Sequence, residues 1–99
     1  MTKTKTTPYE VADYLTTPED CAAYLDASIA ESNGDAAFIA KAIGDIARAR
    51  GMSELARETG MGRESLYKAL SGERNPEFGT ILKVLKALGL ELHATPAAS

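Results

Sequence analysis

Apolar side chains recur every three or four residues along most of this chain, which is the spacing of an amphipathic helix. The pattern predicts five helices, at about residues 18–32, 35–50, 53–59, 63–70 and 77–88. Capping residues support these boundaries, since Thr17 precedes a proline and two acids, and Asp35 can begin the second helix. Asn33-Gly34 and Gly89 provide helix ends. The sequence therefore predicts an all-α fold.

Each long helix has an apolar face that we expect to be buried. The expected core positions are Cys21, Leu25, Ser28 and Ile29 in the first helix, Phe38, Ile39, Ala42, Ile43, Ile46 and Ala47 in the second, and Phe78, Ile81, Leu82, Leu85 and Leu88 in the fifth. In the short middle pair, Leu55, Ala56 and Leu66 face inward. Gly60 between these helices permits the left-handed backbone that a sharp turn needs.

The two ends of the chain differ from the helical middle. Residues 1–15 are expected to form an N-terminal arm, residues 16–95 one helical domain, and residues 96–99 a disordered tail. Residues 90–94 alternate apolar and polar side chains, which predicts a short C-terminal strand. Because a lone strand has no partner in a helical chain, we expect Leu90 and Leu92 to pair with a second copy, or the segment to cover the core.

The charge of the chain is unevenly distributed. The net charge is −3 over 99 residues, a length that allows one domain. Residues 1–34 carry two lysines against six carboxylates, a balance of −4, whereas residues 35–76 carry seven basic against six acidic side chains, a balance of +1. Bulk attraction for nucleic acid is therefore not expected, but a local basic face is compatible with the sequence.

Composition also limits the location and the chemistry. No apolar run approaches the roughly 18 residues needed to span a bilayer, and no secretory signal is visible, so we expect a cytoplasmic protein. One cysteine and one histidine predict no disulfide, metal site or cofactor. Ser65 and Lys68 match the S-x-x-K spacing of serine acyl-enzymes, but the supporting motifs are absent, so we expect no catalytic residues.

The segment from Met52 to Ser71 carries the clearest functional pattern. If Leu66 faces inward, a set of polar side chains lies on the opposite face of the fourth predicted helix. These residues are Arg63, Glu64, Tyr67, Lys68 and Ser71. Such a face can hydrogen-bond base edges and phosphates, although an ordinary solvated helix face has a similar charge pattern.

The run MSELARETGMGRESLYKALS resembles the helix-turn-helix of the Cro/repressor-like (Xre) superfamily. With NPEFGTILKVLKALGL and the rest of the chain from Tyr9 to His93, it is similar to the HigA-like addiction-module antidotes, the antitoxins of bacterial type II toxin–antitoxin pairs. The resemblance implies a five-helix Cro/repressor-like DNA-binding domain that forms a homodimer. It also implies neutralisation of a RelE/ParE-like toxin and repression of its own operon.

The resemblance further implies roles for individual residues. Arg63 and Glu64 would enter the major groove of double-stranded operator DNA, and Tyr67 and Lys68 would reach a phosphate or base edge one turn later. The expected phosphate contacts are Ser53, Arg74 and Asn75, with Ser71 on the same face and Arg48 and Arg50 as weaker candidates. One departure is Gly62, where such helices often begin with a serine cap.

The acidic front of the chain suggests a second binding surface. Apolar side chains interrupt its acids at Tyr9, Val11, Tyr14 and Leu15. We expect these four residues to contact a basic toxin, because opposite charge speeds encounter and fixes orientation, although a merely solubilising surface would have the same composition. Two other functions also fit the sequence: a stand-alone Xre-type repressor without a toxin, and a helix-turn-helix used only for protein binding.

Overall fold

The computed structural model describes residues 14–73 and 75–97, and these residues form five helices and no strand. The helices are α1 (Pro18–Ser32), α2 (Ala36–Arg50), α3 (Met52–Thr59), α4 (Arg63–Ala69) and α5 (Phe78–Ala87). Each boundary lies within one residue of its expected position. The all-α prediction is thus confirmed for this part of the chain.

Local capping explains where the first two helices begin and end. The Thr17 hydroxyl accepts a hydrogen bond from the Asp20 amide at 3.0 Å, and the Asp35 carboxylate accepts one from the Ala37 amide, also at 3.0 Å. Between the two helices, Asn33 and Gly34 have φ angles of 58° and 85°. This left-handed pair ends α1 and reverses the chain, as the sequence predicts.

The helices enclose one hydrophobic core. α1 packs against α2, and α3 contacts α2, α4 and α5. The most deeply buried large side chains come from α2, from the C-terminal part of α4 and from α5: Ile43, Ile46, Leu66, Leu70, Val84, Leu85 and Leu88. This core fixes the position of the short α3–α4 pair, because Leu55 of α3 and Leu66 of α4 both belong to it.

Two contacts hold α2 close to later parts of the chain. At Gly44, an added Cβ would lie 2.5 Å from the carbonyl oxygen of Leu70, so only glycine allows this approach. At the other end of α2, the Arg50 guanidinium donates a 2.8 Å hydrogen bond to the carbonyl oxygen of Leu88. Arg50 therefore satisfies a carbonyl at the end of α5, which leaves it poorly suited to the phosphate contact that we considered for it.

Some expected core residues are wrong. Ile29, Phe38, Phe78 and Leu82 are all exposed, Phe78 by 66%, whereas Val84, which the pattern did not single out, is fully buried. The apolar residues of α5 cover more of its circumference than the core can bury. The buried side of α5 is therefore rotated towards Val84, which leaves Phe78 and Leu82 at the surface.

The segment after α5 forms no strand within the residues that are described. Gly89 ends the helix with φ 77°, and the Leu90 amide donates a 2.9 Å hydrogen bond to the Leu85 carbonyl oxygen. Leu90 packs against the core, whereas Leu92 is 43% exposed. The segment thus partly covers the core, and its pairing with a second copy stays a prediction.

Candidate nucleic-acid interface

A tight turn of three residues joins α3 to α4. Gly60 adopts a left-handed φ of 73°, and its amide donates a 2.9 Å hydrogen bond to the Ala56 carbonyl oxygen. The Thr59 hydroxyl donates to the Leu55 carbonyl oxygen at 2.9 Å and accepts from the Met61 amide at 3.3 Å. These bonds fix the direction in which α4 leaves the turn, while Leu66 anchors α4 in the core.

α4 presents a polar face opposite Leu66. Arg63, Glu64, Tyr67 and Lys68 are all exposed, which is the orientation that the helical spacing predicts. The guanidinium carbon of Arg63 lies 6.0 Å from the centre of the Tyr67 ring. That distance is at the outer limit of a cation–π contact. The two side chains therefore form a joint surface across one turn of the helix.

Arg63 and Tyr67 share a surface depression with the N-terminal part of α3. Its walls include Ser53 and Arg57 of α3 and Arg48 of α2. Three arginines and a serine thus line one depression together with a single carboxylate, Glu54, so cationic side chains outnumber acidic ones there, as suits phosphate. Our sequence reasoning missed Arg57. The spacing could have identified it, because Arg57 follows Ser53 by four residues and so lies on the same helix face.

Arg48 is part of a short chain of contacts with Asp45 and Tyr24. Its guanidinium lies 3.2 Å from one carboxylate oxygen of Asp45, and the other oxygen accepts a 2.6 Å hydrogen bond from the Tyr24 hydroxyl. Burial raises the pKa of Tyr24 above its usual range, and the hydrogen bond to Asp45 and that residue's negative charge act in the same direction. Tyr24 therefore stays a neutral donor and helps to orient Asp45 and Arg48.

Other expected DNA contacts lie elsewhere or have local roles. The Ser71 hydroxyl donates to the Lys68 carbonyl oxygen at 3.0 Å and accepts from the Glu73 amide at 3.1 Å, so it stabilises the turn after α4. Asn75 is exposed but does not line the depression. Arg74 lies outside the described residues.

The helix N-termini next to the depression have no side-chain caps. Gly51 precedes α3 and Gly62 precedes α4, and neither can accept a hydrogen bond through a side chain. Free amide groups and the partial positive charge of each helix start therefore remain available for an anion. At Gly62, this agrees with the departure from a serine cap noted in the sequence.

Two of the four residues expected to bind a toxin, Tyr14 and Leu15, lie within the described part of the chain. Tyr9 and Val11 lie outside the described residues, and Tyr14 is 72% exposed. Leu15 is wrong as a contact residue, because its side chain is 5% exposed and packs in the core. The sequence pattern could not predict this burial, because Leu15 lies in an acidic segment that precedes α1. Leu15, which we assigned to the arm, therefore belongs with the helical body.

Three further observations on the described residues concern membranes, metals and the cysteine. None of their helices is long and apolar enough to cross a membrane. Within the same residues, no group of three or more histidine, cysteine, aspartate or glutamate side chains could hold a metal ion. Cys21 is buried, and burial raises the pKa of its thiol although the nearby Arg50 charge opposes that shift. Cys21 is thus an unreactive core side chain.

Comparison with known families places this geometry in a protein class. Residues 5–96 match the family described as "probable addiction module antidote protein", which is nearly the whole length of the chain. The chain belongs to this family. Membership implies, in general terms, a toxin as partner.

A relative from Haemophilus influenzae supports the same grouping. The chain is 51% identical to it over 83 residues, which cover 84% of this chain and 84% of the relative. That relative is itself described only as an uncharacterised protein. No solved structure matches the chain.

Proposed function

We propose that this protein is a HigA-like antitoxin with a Cro/repressor-like (Xre) helix-turn-helix, which neutralises a RelE/ParE-like toxin and represses its own operon. One observation carries the DNA-binding part of the proposal. The exposed face of α4 and the start of α3 meet in a depression that contains Arg48, Arg57 and Arg63. This arrangement lies in a chain that belongs to an antidote family.

The proposed binding mode places α4 in the major groove. Arg63, in the first turn, can donate two hydrogen bonds to guanine, and Glu64 can accept one from the cytosine amino group. The Tyr67 ring lies beside Arg63 on the same exposed face and would contact the neighbouring part of the DNA. Lys68, one turn further along, is the candidate for a phosphate or an outer base edge.

Residues of α2 and α3 would hold the DNA backbone. Ser53 and Arg57 lie on the α3 side of the depression, where hydrogen bonds and positive charge suit a phosphate. Arg48 adds a third positive group, fixed in place by Asp45. These contacts would set the register of α4, whereas Arg63 and Glu64 would select the sequence.

The remaining parts of the proposal concern the assembly and the location. An operator that is read in two half-sites would be bound by a homodimer. The chain would act by binding alone and without catalysis. Repression of its own operon would take place in the cytoplasm.

DNA binding is tested with fragments of the chain's own promoter. We expect Arg63→Ala and Lys68→Ala each to weaken binding, Arg63→Ala by about 1–3 kcal/mol because arginine reads a base. Fluorescence anisotropy with labelled DNA measures the affinities. Lys83→Ala is the matched control, because Lys83 is an exposed lysine on α5 and not on α4, the helix proposed to enter the major groove, so its loss should leave the affinity unchanged.

The salt dependence separates the two roles. Loss of a phosphate contact at Lys68 should reduce the slope of log affinity against log salt by about one, whereas Arg63→Ala should mainly relax the sequence preference. If the intact chain shows no salt-dependent binding to its promoter, DNA binding is excluded and the protein-only module is favoured.

The toxin is tested by coexpression with the adjacent gene. We expect this chain to rescue growth and to co-purify with the neighbouring gene product. Promoter binding without any such partner would instead identify a stand-alone repressor. RNA hydrolysis that tracks with the purified chain would contradict the absence of catalysis.

A further inference from the structure

An apolar groove lies between α1, the N-terminal half of α2 and the start of α5. Its walls include Ile29, Ile39, Phe78, Ile81 and Leu92, and its volume is about 340 Å³. Three of these side chains, Ile29, Phe78 and Leu92, are at least 38% exposed. Exposed large apolar side chains that converge on one concave surface are typical of a protein-binding site.

A second depression extends this groove along α1. It shares Leu25, Ile29 and Leu92 with the first, so the two form one continuous surface, which we call the α1 groove. The extension is acidic. Three carboxylates line it, Glu19, Asp26 and Glu91, together with His93, whose ring nitrogen lies 3.0 Å from Glu91 Oε1. The described residues that line the two depressions include no lysine or arginine.

The charge of the α1 groove selects its occupant. A basic protein that offers an apolar side chain next to lysine or arginine would match both the apolar part and the acidic part. A second copy of this chain fits less well. A two-fold interface across the groove would bring Glu19, Asp26 and Glu91 near the same three carboxylates of the other copy, which is unfavourable.

We infer that the α1 groove is the docking site for the toxin, a basic protein that inserts an apolar side chain beside Phe78 and places its cations near Asp26 and Glu91. This inference rests on the proposed antitoxin function. It moves the toxin contact from Tyr9, Val11, Tyr14 and Leu15 to the helical body. It also assigns Leu92 to the toxin site, where we expected a dimer contact.

The α1 groove and the candidate DNA surface are separate. The depression around Arg63 and Tyr67 shares no lining residue with the groove. The residues proposed to contact the toxin and those proposed to contact DNA are therefore different. Simultaneous binding of both partners requires at least this separation.

The apolar part of the inference is tested with a matched pair of variants on α5. Phe78 and Leu82 are one turn apart and both exposed, but only Phe78 lines the groove. Calorimetric titration measures binding of the purified product of the adjacent open reading frame to the full chain. We expect Phe78→Ser to weaken binding by about 30-fold or more, the loss typical of a central interface residue, and Leu82→Ser to change it little.

The acidic part is tested with a second pair on α1. Asp26 lines the groove, whereas Glu31 is exposed on the same helix outside it. We expect Asp26→Lys to slow association of the same toxin about tenfold at low salt, and Glu31→Lys to have a much smaller effect. Circular dichroism should show both α5 variants and both α1 variants to be folded, since all four side chains are exposed.

The outcomes distinguish this inference from the proposed function. If the unaltered chain does not bind the adjacent gene product, the antitoxin function fails and the inference fails with it. If the unaltered chain binds but Phe78→Ser binds equally well, only the groove is rejected. Conversion of a dimer to a monomer by Phe78→Ser, with toxin affinity unchanged, would instead identify a second copy as the occupant. Loss of toxin binding on removal of residues 1–13, but not in Phe78→Ser, would return the site to the N-terminal arm.

Discussion

At the scale of single residues, Asp45 joins α1 to the candidate DNA surface. One carboxylate oxygen accepts from the Tyr24 hydroxyl of α1, and the other lies 3.2 Å from the Arg48 guanidinium. A charged acceptor makes each of these hydrogen bonds stronger than a bond between neutral groups. Tyr24 thus contributes both to stability and to the position of a cation that we propose to contact phosphate.

The Tyr24 hydroxyl should make stability sensitive to alkaline pH. Its pKa is raised in the folded chain above the value of about 10 for an unfolded tyrosine, so its contribution is fully present below about pH 10. That contribution is lost as pH rises towards the folded pKa. We expect Tyr24→Phe to lower the free energy of unfolding by about 1–2 kcal/mol at pH 7 and to flatten its decline between about pH 9 and 12.

Urea unfolding followed by circular dichroism at a series of pH values measures this effect. Tyr14→Phe is the control, because Tyr14 is 72% exposed and loss of its hydroxyl should leave the free energy of unfolding at pH 7 unchanged. An alkaline decline of the same steepness in Tyr24→Phe and the unaltered chain would contradict the role given to Tyr24.

The sequence predicts some of these residue roles and cannot predict others. The outward direction of Arg63 and Tyr67 follows from their spacing and from the apolar Leu66 between them. By contrast, Arg50 bonds to a carbonyl 38 residues further along the chain, and Leu15 is buried by helices that follow it. Such roles depend on tertiary contacts, which no local pattern contains.

At the scale of helices, two glycines show two different requirements for the absence of a side chain. Gly44 lies in the middle of α2, where glycine normally weakens a helix, but the Leu70 carbonyl lies too close for a Cβ. Gly60 has no atom within 4 Å of its Cβ position, and its constraint is the left-handed φ of 73°. The first is a packing requirement and the second a backbone requirement.

These requirements predict an order of destabilisation. We expect Gly44→Ala to lower the free energy of unfolding by about 3 kcal/mol, because the methyl group would force α2 away from the end of α4. Gly60→Ala should cost about 1–2 kcal/mol through backbone strain alone. Gly62→Ala is the control, since Gly62 has an extended backbone and open space at its Cβ position. Alanine is a poorer helix N-cap than glycine, so we expect a cost of about 0.5 kcal/mol, below that of the other two variants.

Urea denaturation of the three variants measures this order. A Gly44→Ala variant as stable as Gly62→Ala would show that α2 and Leu70 are not packed as closely as described. If Gly60→Ala left the free energy of unfolding unchanged, the left-handed turn before α4 would be contradicted.

Helix boundaries were easier to predict than helix orientation. Thr17, Asp35 and Gly89 mark ends through bonds and backbone angles that a few neighbouring residues determine. The burial of α5 was partly wrong at Phe78 and Leu82, because a wide apolar stripe allows several rotations about the helix axis. One of these two residues, Phe78, lines the α1 groove and does not belong to the buried core.

At the scale of the whole molecule, charge is distributed between the two surfaces. The described residues that line the α1 groove include three carboxylates, one histidine and no lysine or arginine, whereas three arginines and one carboxylate line the depression at α3 and α4. The net charge of −3 therefore conceals two surfaces suited to partners of opposite charge. The net negative charge of the chain is therefore compatible with the proposed binding of DNA at α3 and α4.

The separation of the two surfaces has a thermodynamic consequence. A ligand that binds only the folded chain raises the free energy of unfolding by about 2.7 kcal/mol when its free concentration is a hundred times its Kd. Because the surfaces share no lining residue, the promoter fragment and the toxin should stabilise the chain additively. Thermal unfolding is measured for the chain alone, with each ligand separately, and with both ligands together. A stabilisation by both ligands that is smaller than the sum of the two separate effects would mean that the partners compete. Melting temperature can then report how strongly either surface is occupied, without knowledge of the operator sequence.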